Sequence, residues 1–332
     1  MPTADGSRDA EPTPPEPSSA GATPRPGPPR GPYRLIVNPS AGSGRVRAAV
    51  PALRTSLERA GADVDVVEAP DRDGTTEAAR ASLREGWRQL VAVGGDGTLQ
   101  AVVNGMFDGD APIADDAVLG IVTAGHGGDF ARTFGLDIAP EHAARRLLAP
   151  ETMTVDVGVA EFTDAEGRSQ RRLFTNCAQV GYGAEVARLA ARMPRKLGRV
   201  RYLLAAWAAI RKVSRPEATV ELEHGRQRVP LVDLVAANGQ FFGGGMRVAP
   251  RAMPSDGRLS VLAFTGGRSQ VFLLTPQMYR GAHLPHPEIR EWQTPWVAVA
   301  EPPGLRVEAD GEDLGWSPAR FSLLPGALRL SI

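Results

Sequence analysis

The chain has 332 residues, 42% hydrophobic and 23% charged, which suits a soluble globular protein large enough for two domains. Lysine plus arginine equals aspartate plus glutamate at 38 each, so no net field draws it to nucleic acid and any basic surface must be local. The single cysteine, Cys177, excludes an internal disulfide and a cysteine-based zinc cluster; in the apolar run LFTNCAQV it reads as a core thiol in a reducing, cytoplasmic compartment.

Residues 1–30 are rich in Pro, Ala, Gly and Ser with almost no large apolar side chain, which predicts a disordered tail and not a signal peptide. No apolar run approaches the ~20 residues that span a bilayer. YRLIVNP (33–39) reads as a buried strand entering an Asn-Pro turn. Val46, Val50, Leu53 and Leu57 mark one face of a helix that Gly61 caps and that starts or kinks at Pro51. A strand at 62–69, a helix at 75–86, a strand at 89–95, a helix at 98–107 and a strand at 117–124 follow. This alternation predicts a doubly wound, mostly parallel α/β domain over residues 31–150.

After a helix at 141–149 the pattern changes. MTVDVGVAEF, RRLFTNCAQV, ATVELEHG, VPLVDLVAANG, RLSVLAFTG, PWVAVAE, LRVEADG and RFSLLPGALRL are strand-like runs between turn residues. Helical runs stand only at 184–193, 198–213 and 269–281. Residues 151–332 are therefore expected to form a β-rich, sandwich-like domain, whose last strand is free to pack back on the first. The segment 191–215 joins a basic cluster to an apolar helix; it is either a core-packed helix with a solvated end or an interfacial patch. His283 and His286 read as loop-structural, His142 and His224 as surface residues.

Ligands of open α/β sheets bind beyond the carboxyl ends of the strands. Three glycine-rich turns fall there: NPSAGSG (38–44), GGDGT (94–98) and AGHGGD (124–129). Glycines let backbone N–H groups approach phosphate oxygens, and a following helix N-terminus adds a favourable dipole. Neither a Walker A loop nor the dinucleotide fingerprint is present.

LIVNPSAGSG, VAVGGDGTLQAVVNG, NGQFFGGGMRVAPRAMPSDGRLSV (238–261) and VEADGEDLGWSPARFSLLPGALRL (307–330) come in an order that resembles the diacylglycerol kinase catalytic-domain family, which includes bacterial lipid kinases and sphingosine kinases. GGDG alone also occurs in NAD kinases and phosphofructokinases; the later motifs make the match specific. The resemblance runs from about residue 33 to the end. It implies an ATP- and Mg²⁺-dependent lipid kinase that moves a γ-phosphate to a hydroxyl of diacylglycerol or a related lipid. Nucleotide would be held by Asn38, Pro39, Ser40, Gly42 and Gly44, by Gly94, Gly95, Asp96, Gly97 and Thr98, and by Gly125, His126, Gly127 and Asp129. Mg²⁺ would be held by the Asp256 carboxylate with the carbonyls of Met253 and Arg258, and a proton acceptor would stand at Glu312 with Asp310 beside it.

Taken as residues alone, Asp96 is equally an Asx-turn or helix cap, Asp129 a cap for FARTFG, and Asp310-Gly311 a hairpin turn. Glu312 and Asp96 compete for the base, and the choice stays open. TAGHGGDFAR departs from the family's usual Pro-x-Gly-Thr-Gly-Asn-Asp-Phe-Ala at Thr123, His126 and Gly128. Beside triphosphate an imidazole is held protonated, so His126 is expected to donate an N–H in place of a hydroxyl, rather than to bind metal or act as a base. The alternatives are a regulatory lipid- and nucleotide-binding protein without catalysis, and an NAD kinase-like enzyme. Retained Asp96, Asp256 and Glu312 argue against the first; the lack of an Asn-Glu pair and a Ser/Thr-rich loop in the second domain argues against the other. The expected partners are a lipid substrate and the inner face of a membrane, contacted peripherally; a homodimer is left open.

Overall fold

The computed structural model describes residues 31–39, 41, 45–123, 128–136, 140–149, 151–194, 197 and 200–332. Ser40, Gly42, Gly44, Gly125, His126, Gly127 and the tail 1–30 lie outside the described residues. The first half runs β1 (Tyr33–Val37), α1 (Arg45–Arg59), β2 (Val64–Glu68), α2 (Arg72–Arg84), β3 (Gln89–Gly94) and α3 (Asp96–Met106). A small hairpin, β4 (Phe107–Asp108) and β5 (Ala111–Pro112), precedes β6 (Val118–Thr123), α4 (Asp129–Thr133) and α5 (Pro140–Leu147). Strands β2, β1, β3 and β6 pair in that order, all parallel.

The apolar runs in these strands are continuous because both faces are covered. Ile36, Leu90, Ala92, Leu119 and Ile121 point to Leu83, Leu99, Val102 and Val103 of α2 and α3. Their neighbours Leu35, Val37, Val91, Val93 and Val122 point to Val46, Leu53, Leu57 and Leu147 of α1 and α5. The start expected at Pro51 is not seen: α1 begins at Arg45 and continues through the proline. Pro51 is exposed, where water can satisfy a carbonyl that its ring deprives of a donor. α2 starts three residues before the expected 75, because Asp71 caps it by accepting the Gly74 N–H at 2.7 Å.

The second half contains β7 (Thr152–Thr163), β8 (Ser169–Phe174), β9 (Cys177–Gly181), α6 (Tyr182–Ala191), α7 (Val200–Ala209), β10 (Glu217–Leu222), β11 (Gly225–Pro230) and β12 (Asp233–Ala237). β13 (Leu259–Phe264), α8 (Arg268–Arg280), β14 (Ile289–Thr294), β15 (Trp296–Glu301), β16 (Arg306–Ala309) and β17 (Glu312–Ser331) complete it. One layer is ordered β14-β13-β12-β9-β16, and the other holds β8, β7, β17, β15, β10 and β11. Phe174, Val180, Val220, Leu234, Val261 and Phe321 are among the side chains that meet between them. RRLFTNCAQV is two strands rather than one. The N–H groups of Thr175, Asn176 and Cys177 are all captured by Asp310, so the ladder breaks there.

β17 is 20 residues long and bulged twice. It pairs with β16, β15 and β7, then ends parallel to β6 with Arg329 opposite Val118 and Leu330 opposite Leu119. The two halves therefore share one sheet. Arg146 clasps this junction by donating to the carbonyls of Ser331 and Ile121, and burial pulls its pKa down to about 10. Among the described residues no helix is long and apolar enough to cross a membrane.

Candidate active site

Asp96 opens α3 just beyond the C-terminal end of β3. Its carboxylate accepts the N–H groups of Gly128 at 2.8 Å and Phe130 at 3.5 Å, so it caps α4 from a neighbouring strand end. Gly128 has φ 94°, a left-handed conformation that glycine adopts without strain. Among the described residues, a Cβ on Gly95 or Gly97 would meet nothing within 4 Å, so none of them fills the space over the backbone of this turn. Asn38 and Pro39 follow β1 on the same sheet edge.

Asp129, 5% exposed, faces the other half of the molecule. It accepts the Gly244 N–H at 2.7 Å and lies 3.5 Å from the Arg132 guanidinium. Thr133 accepts the Gln240 N–H at 3.1 Å, and Arg132 stands 5.7 Å from the centre of the Phe241 ring. The glycine-rich segment 238–246 is thus docked onto α4. Asn176 continues the connection: its carboxamide donates to the Phe241 carbonyl, and its backbone N–H reaches Asp310 at 3.0 Å.

Asp310 sits in the β16–β17 turn at φ 48°. It accepts N–H groups from Thr175 at 2.7 Å and from Asn176 and Cys177 at 3.0 Å, and the Thr175 hydroxyl at 3.0 Å. Burial raises its pKa, and these bonds pull it back. Four donors use the capacity of one carboxylate, so Asp310 fixes the turn and the start of β9.

Glu312, two residues on, receives Arg172 in a fork, Nε at 3.0 Å and Nη2 at 2.7 Å. Arg72, at the start of α2 in the other half, also pairs with it. Asn104 of α3 grips β8 beside Arg172, donating to the Leu173 carbonyl at 3.1 Å and accepting the Leu173 N–H at 3.3 Å. One network therefore joins Asp96, Asp129 and Asp310 across the junction, with Glu312 on the same turn as Asp310. Arg72, Arg172 and Asn104 carried no signal in the sequence, where two arginines and a helix asparagine look like surface residues.

Asp256 stands apart from this network. Its turn is anchored by Asp156, which is buried and accepts the N–H groups of Gly257 at 2.8 Å and Gly326 at 2.7 Å. Asp256 itself is exposed, and its Oδ1 accepts the Arg258 N–H at 2.9 Å. The Met253 carbonyl already accepts the Ser255 N–H at 2.7 Å. The donor set fits a hard, mostly hydrated cation held through one carboxylate oxygen. Among the described residues no three His, Cys, Asp or Glu side chains gather as a metal cluster. Asp156 could have been noticed as an aspartate inside the apolar run MTVDVGVAEF.

An apolar pocket lies between α6, α7, α8 and the outer face of β12, walled by Val186, Ala206, Val235, Leu274 and Met278. Phe242 and Gly243 of the docked segment also line it, as does Asp233 from the start of β12. Outside it, α7 turns Ala205 and Ala209 inward and leaves Val200, Leu204 and Trp207 exposed, so core packing accounts for only one face of this helix.

Burial pushes the Asp233 carboxyl up to about 8, with one N–H from Gly183 pulling against it. Glu308, buried in β16, is likewise pushed up by burial and by Asp310. The folded chain keeps a proton on Asp233 that the unfolded chain loses above pH ~4, so this group's contribution to stability falls as pH rises from about 4 to about 8. Asp233→Asn should therefore stabilise the protein at pH 7 by up to about 4 kcal/mol and change little near pH 4. Denaturant midpoints at the two pH values check this; equal midpoints for variant and wild type at pH 7 would contradict it.

A parallel α/β sheet joined to a β-sandwich defines a two-lobed architecture that other proteins share. A diacylglycerol kinase crystal structure from Bacillus anthracis str. Sterne superposes with a TM-score of 0.67 at 18% identity, covering 90% of this chain and 96% of that one. Another structure from the same organism gives 0.74 at 20% identity over 90% and 94%. Residues 32–160 match the diacylglycerol kinase catalytic domain, and residues 176–332 match the YegS C-terminal NAD kinase beta sandwich-like domain. The diacylglycerol kinase of Mycobacterium tuberculosis (strain H37Rv) is 30% identical over 305 residues, 90% of this chain and 94% of its own. The probable YegS-like lipid kinase of Pseudomonas aeruginosa PAO1 is 31% identical over 293 residues, 88% and 91%. The chain belongs to the diacylglycerol kinase catalytic-domain family.

Proposed function

We propose that this protein is a lipid kinase that transfers the γ-phosphate of ATP, with Mg²⁺, to a hydroxyl of diacylglycerol or a related lipid. The reading divides the work between an α/β domain (31–150) that takes nucleotide and a β-rich domain (151–332) that takes lipid. The observation that carries it is the network from Asp96 through Asp129 and Asn176 to the Asp310–Glu312 turn, with an apolar pocket that the docked segment helps to line. The lipid hydroxyl oxygen attacks the γ-phosphorus, the bond to the bridging oxygen breaks, and ADP leaves. Glu312 takes the hydroxyl proton, while Asp310 holds the turn in place. Backbone N–H groups of the open glycine turn orient the phosphates. Mg²⁺ would be held through the Asp256 carboxylate with the Met253 and Arg258 carbonyls, and would supply positive charge to offset that of the triphosphate.

The exposed apolar face of α7 suits peripheral contact with a membrane. Leu204→Ser together with Trp207→Ser should weaken binding to lipid vesicles by about tenfold or more, since each loses its buried apolar area. Sedimentation with vesicles measures it, and unchanged binding removes α7 from the interface. For the reaction, the test is incubation with labelled ATP, Mg²⁺ and a lipid extract, followed by mass identification of the product. A phosphorylated lipid is expected. Nucleotide binding without transfer would favour a regulatory protein of the same fold.

A further inference from the structure

The apolar pocket contains polar groups that packing alone does not require. β12 sends Leu234 and Ala236 into the sandwich and Asp233 and Val235 toward the helices. Asp233 is 8% exposed, and its Oδ1 has no hydrogen-bond partner among the described residues. Gln179 arrives from β9, opposite Val235 in register. A Cβ on Gly183 would lie 1.6 Å from the Gln179 Oε1 and 2.8 Å from the Asp233 Oδ2. The absence of that Cβ is what lets the carboxamide and the carboxyl meet over the start of α6. A buried carboxyl oxygen left without a partner is destabilising, and a leucine would line the same wall without that cost.

We propose that Asp233 and Gln179 recognise a hydroxyl carried on the apolar part of the substrate, remote from the hydroxyl that is phosphorylated. The proposal rests on the reading of this pocket as the lipid site. Burial keeps Asp233 protonated at neutral pH, so its free oxygen presents a donor, and the Gln179 carboxamide presents an acceptor. A hydroxyl satisfies both at one atom, accepting from Asp233 and donating to Gln179. An ester carbonyl satisfies only the donor, and a methylene neither.

The register sets the position. Ala237 lies opposite Cys177, whose N–H bonds Asp310, and Asp233 lies opposite Gly181. Four residues of strand, about 13 Å, thus separate Asp233 from the catalytic turn, and two residues, about 7 Å, separate Gln179 from it. The glycerol ester oxygens stand only a few bonds from the reacting hydroxyl, whereas a mid-chain hydroxyl spans that separation.

The experiment compares kcat/KM on two diacylglycerols in mixed micelles, identical except for a stearoyl or a mid-chain hydroxystearoyl group. Wild type should prefer the hydroxylated lipid by about tenfold or more, through KM rather than kcat. Asp233→Leu should abolish the preference. Asp233→Asn, which still accepts from Gly183 and still donates, should retain most of it. If Asp233→Leu fails to fold by thermal melting, Gln179→Met removes the acceptor alone and should reduce the preference. Equal kcat/KM on both lipids in wild type, or a preference unmoved by these variants, overturns the proposal. Val186→Trp tests the pocket separately: full activity on both lipids would overturn the lipid-site reading itself. Loss of activity in Val186→Trp, without a wild-type preference, overturns only the hydroxyl. Equilibrium binding of the same two lipids reads the discrimination without turnover.

Discussion

Glu312→Gln should lower kcat by about 10²–10⁴-fold, the range that a positioned general base supplies, while ATP affinity stays within a few fold. The substitution is mild for the fold. Glutamine keeps the shape and can still accept one bond from Arg172, although Arg72 and Arg172 lose the carboxylate that holds them together. Burial and Arg172 already lower the Arg72 pKa, so part of that repulsion is present in the wild type. The modest stability loss should be visible as a small shift in Tm. Near-wild-type turnover in this variant would move the base elsewhere, and Asp96 is the candidate.

Asp96→Asn should lower activity by about 10²-fold or more while the protein stays folded. The structural part of the aspartate's role survives, because asparagine caps helices as well and its carbonyl can accept the Gly128 N–H. What it loses is the negative charge beside the glycine turn and the second acceptor toward Phe130. A cap worth about 1 kcal/mol predicts a small change in Tm, so the two roles separate by magnitude. Turnover near wild type would reduce Asp96 to a cap.

The alternation of strands and helices in the first half was legible because apolar runs of the right length stand between glycine and proline punctuation. The glycine turns followed at the strand ends, and so did Asp96 and Asp129. Boundaries failed where a distant side chain intervened. Asp310, some 135 residues away, breaks the strand-like run RRLFTNCAQV, and no local pattern contains that information. β14 escaped notice because its IREWQT stretch buries only its two ends, with Arg290 and Gln293 exposed and Glu291 and Trp292 partly buried between them. The arginines around Glu312 were hidden for a related reason: a salt bridge between residues 72 and 312 depends on how two halves meet, not on spacing. The polar pair in the apolar pocket was invisible too, since Asp233 lies inside a run that reads only as a strand.

The pairing of β17 with β6 has a consequence for biogenesis. β6 would be the open edge of the first half's parallel sheet, and the residues that cover it are 329 and 330. A nascent chain that has already produced its first 150 residues therefore carries an unsatisfied, apolar strand edge until nearly 180 more have been made. During that interval the edge can pair with another chain, so removing residues 328–332 should produce aggregation during expression rather than a soluble, merely less active protein.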